Sequence, residues 1–63
     1  MKIYAVYDIM LDSYITYCNT YELALSRRME QAYFEDRDID EYVVLDIYVE
    51  EDGVRLVEVC KFV

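Results

Sequence analysis

The chain has 63 residues, of which 57% are hydrophobic, with one Gly, no Pro and a formal charge of −8 from fourteen acids against six bases. That length excludes more than one domain, and so apolar a composition excludes a natively disordered chain. The charge argues against direct contact with nucleic acid, whose phosphates require a basic surface, and no apolar run approaches the ~18 residues of a membrane span.

Residues 3–10 alternate: Ile3, Ala5, Tyr7 and Ile9 share one face and Tyr4, Val6 and Asp8 the other, which predicts a strand. Leu11-Asp12-Ser13 predicts a tight connection, and the β-branched and aromatic residues at 14–18 predict a second strand. Asn19 is placed to cap a helix, with Glu22 three residues later at the capping-box spacing. Tyr21, Leu25, Met29, Ala32 and Tyr33 form its apolar stripe, and the helix is expected to end at residues 34–36. Leu23, Arg27, Glu30 and Phe34 fall on another side, where strand ends or loops are expected to cover Leu23 and Phe34.

Residues 35–41 read as an acidic connection and 42–50 as a third strand, with Val43, Leu45, Ile47 and Val49 on one face. Asp52-Gly53 is a strong hairpin signal leading to a fourth strand at 54–62. A two-residue turn there sets Val49 opposite Leu56, Leu45 opposite Cys60 and Glu50 opposite Arg55, with Glu58 as the misfit on the apolar face. The expected fold is therefore α+β, ββαββ, with one helix packed on one face of a four-stranded, mainly antiparallel sheet, in a single domain over residues 1–63. One helix covers one face, so the other meets water or a partner. Tyr4, Tyr14, Tyr42 and Tyr48 are assigned to that open face with Val6, Val44, Val57 and Val59, while Tyr21 and Tyr33 are assigned to the helix side. Tyrosine suits an interface because its ring is apolar and its hydroxyl hydrogen-bonds, so the open face is a candidate homodimer or partner surface.

The chemistry of most enzymes is missing. There is no His, which removes Ser-His and Cys-His nucleophile pairs and most zinc sites, and one Gly cannot make a phosphate-cradling loop. Asp36, Asp38 and Asp40 have calcium-loop spacing, but Glu41 stands where the loop needs Gly and Ile47 where it needs Glu. The expectation is a protein that is not an enzyme and uses no cofactor or metal. Cys18 and Cys60 read as free thiols in a reducing compartment, able to pair only if their strands lie side by side. With no signal sequence at the start, the expected location is cytoplasmic, without membrane contact.

The charge is uneven. Residues 35–58 hold ten acids and two bases, so this stretch alone nets −8, the value of the whole chain. A solvated surface that confers solubility is one reading. The other is a surface that imitates nucleic-acid phosphates, which recur every ~1.7 Å along a duplex axis. On the second reading the partner-binding residues are Glu35, Asp36, Asp38, Asp40, Glu41, Asp46, Tyr48, Glu50, Glu51 and Asp52.

The opening Met1-Lys2-Ile3-Tyr4, the size, the acidity and the order of elements resemble the small acidic proteins common in phage genomes. Some of that group are anti-restriction or anti-CRISPR inhibitors, and some of those are acidic DNA mimics. The resemblance carries no catalytic motif; the acids named above come from the charge count. It implies a phage or mobile-element inhibitor in the cytoplasm of a bacterial host. Its partner would be a host protein with a positively charged nucleic-acid groove, a CRISPR effector or a restriction nuclease. The alternative is a small structural or adaptor module that dimerises through the open sheet face and is acidic only for solubility. A ubiquitin-like domain shares the element order, but this chain is short for one.

Overall fold

A computed structural model describes the backbone of residues 2–50 and 53–60 and the side chains of residues 2–48 and 53. The expected Asp52-Gly53 turn, Glu51 and the side chains of Glu50, Val57 and Val59 fall wholly or partly outside these residues. The fold is α+β. Strands β1 (Lys2–Asp8), β2 (Ser13–Cys18) and β3 (Tyr42–Glu50) form an antiparallel sheet, and one helix, α1 (Tyr21–Glu35), joins β2 to β3 through a single 3₁₀ turn at Ile39–Glu41. β1 lies in the middle, with β2 on one side and β3 on the other.

The alternation along β1 separates the two faces as the sequence predicts. Tyr4 and Val6 join one cluster, and Ile3, Ala5 and Tyr7 join the other. Which face meets the helix is the reverse of the expectation. Val6, Val44, Tyr42 and Cys18 are buried under α1 against Ala24 and Ala32, with Tyr4, Tyr21 and Leu25 at the margin. The opposite face holds Ala5, Val43, Leu45 and Ile47, all buried, so its centre is not open. The physical reason is fit. Ala24 and Ala32 let the helix backbone come close to the sheet, and Val6, Val44 and Cys18 pack in the layer between. Periodicity sorts residues into two sets but does not say which set the helix takes.

The helix phase differs too. Its buried residues are Ala24, Arg28 and Ala32, whereas Met29 and Tyr33 are exposed, Tyr33 by 83%. The N-cap is Thr20, one residue after the expected Asn19: its hydroxyl accepts from the Leu23 amide at 3.2 Å. At the other end Asp36 takes a left-handed conformation (φ 53°), its amide donating to Tyr33 O while the Arg37 amide donates to Ala32 O. This is the two-bond C-terminal closure usually given to Gly, and Asp tolerates it better than most residues.

β2 carries an irregularity. Val6 faces Thr16 but Tyr7 faces Tyr14, so Ile15 is an extra residue. Residues 14 and 17 would point to opposite faces of a regular strand; the bulge instead stacks the Tyr14 and Tyr17 rings at 5.7 Å, with Tyr7 edge-on to Tyr14 at 5.2 Å. Among the described residues no helix is long and apolar enough to cross a membrane.

Candidate partner-binding surfaces

The acidic stretch folds around an ionic clamp. Asp8 ends β1 and is 1% exposed. One of its carboxylate oxygens accepts from the Met10 and Leu11 amides, turning the chain out of the strand. Arg37, delivered by the helix closure, then grips Asp8 with two hydrogen bonds of 2.7 and 2.9 Å and donates from Nε to Glu41 at 2.7 Å. The same guanidinium lies 4.9 Å from the centre of the Tyr42 ring. Hydrogen bonding to Arg37 holds the Asp8 carboxyl below the usual range despite burial, and the same bonds raise the Arg37 pKa. Arg28, buried in the helix–sheet layer, donates from Nε to the Tyr42 carbonyl at 2.8 Å and lies 3.9 Å from Asp40. Burial lowers its pKa, with Asp40 opposing the shift.

Both arginines of this region therefore turn inward. Glu35, Asp36, Asp38 and Asp40 are exposed and form a ridge at the end of α1 and the start of the 3₁₀ turn. The helix C-terminus adds partial negative charge at the same place. Glu41 belongs to the clamp, and Asp46 is buried beside β1, 3.3 Å from Lys2. Tyr48 is half exposed, toward the other end of β3. Tyr42 and Glu50 are the two ends of that nine-residue strand, so the backbone of Glu50 is separated from the acids at 35–41 by about 26 Å of strand. Among the described residues, the sequence-predicted acidic surface is thus brought together over Glu35, Asp36, Asp38 and Asp40.

The tyrosines redistribute in the same way. Tyr42 is fully buried on the helix side, and Tyr4 lies edge-on to Tyr21 at 5.8 Å beneath α1. The exposed tyrosines beside the opposite face are Tyr14 and Tyr17, which with Ile3 and Ile47 line a shallow hollow of about 350 Å³.

A surface that sequence reasoning set aside lies between α1 and β2. Leu23 and Phe34 are uncovered, at 42% and 79% exposure. With Arg27, Glu30, Ile15 and Tyr17 they border a groove of about 390 Å³. The available signal was the spacing 23, 27, 30, 34, a second apolar-ended stripe on one side of the helix. Cys18, at the groove's floor, is a free buried thiol whose pKa is raised by that burial. Among the described residues no group of three His, Cys, Asp or Glu is placed to hold a metal ion. The chain matches no protein-family model, no curated protein and no solved structure.

Proposed function

We propose that the protein is a non-catalytic inhibitor that occupies the positively charged nucleic-acid groove of a host protein, a CRISPR effector or restriction nuclease, with its acidic ridge in place of phosphates. The observation that carries this reading is the inward turn of Arg28 and Arg37, which leaves Glu35, Asp36, Asp38 and Asp40 facing outward with no exposed base between them. Charges of both signs interspersed are the usual make-up of a soluble surface, and a field of one sign is the arrangement that steers a partner. A one-sign ridge steers a basic partner into encounter and loses affinity as salt rises.

The reading includes a fourth strand, β4 (Gly53–Cys60), which completes the order ββαββ and extends the sheet to β2-β1-β3-β4. Its support is an antiparallel backbone pairing that runs from Glu50 opposite Gly53 to Val44 opposite Cys60. Val49 then faces Val54 rather than Leu56, Leu45 faces Val59 rather than Cys60, and the register shifts between Asp46 and Ile47. Gly53, at φ 144°, holds a conformation that residues with a side chain rarely adopt. In this strand order β1 and β3 separate Cys18 from Cys60, which keeps both as thiols.

The test is capture from bacterial lysate on immobilised protein, with duplex DNA as competitor and partners identified by mass spectrometry. The control variant combines Glu35→Lys, Asp36→Asn, Asp38→Lys and Asp40→Asn. It adds two, one, two and one charges, taking the net from −8 to −2. It spares Glu41 and the clamp, and Asp38 makes no capping hydrogen bond to lose. The expected result is retention of nucleic-acid-binding proteins, displaced by DNA and lost with the variant. Retention that DNA and the variant leave unchanged refutes the mimic.

A further inference from the structure

The helix side of the groove between α1 and the β2 edge carries a residue pattern that a two-fold operation maps onto itself. Along the groove side of the helix the order is Leu23, Arg27, Glu30, Phe34: apolar, positive, negative, apolar. An axis between positions 28 and 29 exchanges Leu23 with Phe34 and Arg27 with Glu30. Beside it runs β2, Ser13–Cys18, which carries no charge and no Pro, and whose outer edge pairs with no strand among the described residues. Natural proteins protect such edges with lysines, prolines or a covering element; here Ile15 bulges, but nothing charged guards the strand.

We propose that this edge is the dimer interface, and that its occupant is a second copy of the same chain. The two β2 strands pair antiparallel about a two-fold axis perpendicular to the sheet, which becomes continuous across both copies. The two helices then lie side by side and antiparallel on the same face. Leu23 meets Phe34 of the second copy, and Arg27 meets its Glu30. Antiparallel edge pairing places β1 and its symmetry copy three strand spacings apart, about 14 Å. α1 lies over β1 and β3 alike, so the two helices stand farther apart than the 8–10 Å of directly packed helices. That gap suits long side chains reaching in from both flanks, which Arg27, Glu30 and Phe34 are. Within one copy Arg27 already bonds Glu30 at 3.0 Å, both half exposed, so each arrives with its charge accessible for a second partner.

Electrostatics selects this occupant over a charged peptide. The copies carry −8 each, yet residues 1–34 net only −1, from four acids and three bases. The interface is therefore the near-neutral side of an acidic molecule, and the acidic ridge of each copy begins just past Phe34, at the interface margin. A strongly basic peptide would find little on this edge to hold it.

The experiment is sedimentation equilibrium of the whole chain, with wild type expected to approach twice its 7.6 kDa. Arg27→Glu alone and Glu30→Arg alone set like charges against each other across the axis and are each expected to weaken self-association about tenfold or more. Mixing the two variants restores opposite charges on both sides of the axis, so an equimolar mixture is expected to form a heterodimer that neither makes alone. Phe34→Gln, which removes the exposed ring without adding charge beside Glu35, is expected to give a monomer with an unchanged far-ultraviolet circular dichroism spectrum. A wild type that stays monomeric at several hundred micromolar overturns the proposal, as does a dimer indifferent to the single reversals, or a mixture that stays monomeric.

Discussion

Tyr42 and Arg28 show how differently two buried polar side chains can be treated a few ångströms apart. Arg28 bonds the Tyr42 carbonyl, so its burial is compensated. The Tyr42 hydroxyl is buried with no hydrogen-bond partner, and burial raises its pKa, so the phenol stays neutral. An unpaired buried hydroxyl costs its hydration and returns nothing. Tyr42→Phe is therefore expected to stabilise the fold by about 1 kcal/mol. In a chain of this size that is a rise in Tm of roughly 4–8 °C. A fall in Tm on thermal circular dichroism would mean that the hydroxyl is satisfied by bound water. The sequence does not reveal this position. Eight tyrosines all suit a half-buried strand or helix flank, and their chemistry alone does not separate the fully buried Tyr42 from Tyr33, which is almost wholly exposed.

Among elements, the clamp of Asp8, Arg37 and Glu41 fastens the end of β1 to the chain that leaves α1, a closure over 29 residues of sequence. Asp8→Asn preserves the acceptor for the Met10 and Leu11 amides and removes the charge that Arg37 pairs with. The expected loss at neutral pH is roughly 2–3 kcal/mol, below the roughly 3–5 of a fully buried pair because water reaches part of Arg37. The folded-state pKa of Asp8 is lowered from its ordinary 3.8, so the clamp contributes fully above about pH 4. Its contribution is lost as pH falls through the folded-state value. Urea unfolding of both proteins at several pH values should give a constant gap down to about pH 4 and a shrinking one below it. A gap that persists at pH 2.5 would assign the effect to shape rather than charge. The extents of β1 to β3 and of α1 were legible to within about two residues because periods of 2 and 3.6 are local properties. The helix phase was not, because Arg28 sits inside and Met29 outside, an inversion that depends on a carbonyl contributed by β3. Asp8 looked like an ordinary alternating position, and its partner lies in a run of acids where Arg37 reads as an isolated base.

For the whole molecule, the question is whether the ion pairs or the net charge dominate the electrostatics. Arg27–Glu30 is an exposed pair of the kind worth about 0.5 kcal/mol or less, and Asp8–Arg37 is shielded enough that salt reaches it poorly. A charge of −8 on a body with a radius of gyration of 11.4 Å repels itself more in the folded state than in the expanded one. Going from 10 mM to 500 mM salt shortens the screening length from about 30 Å to a few ångströms and removes most of that difference, on the order of 1–2 kcal/mol. Net repulsion wins, so Tm should rise with salt, by roughly 5–10 °C across that range. The measurement belongs at low micromolar protein, where self-association contributes least. Glu35, Asp36, Asp38 and Asp40 supply four of the fourteen acids, so a variant with all four made neutral carries −4. Repulsion scales with the square of charge, so its salt response should fall to roughly a quarter of the wild-type slope. A Tm that falls with salt would show that the ion pairs control stability, and that the acidic ridge costs the fold little.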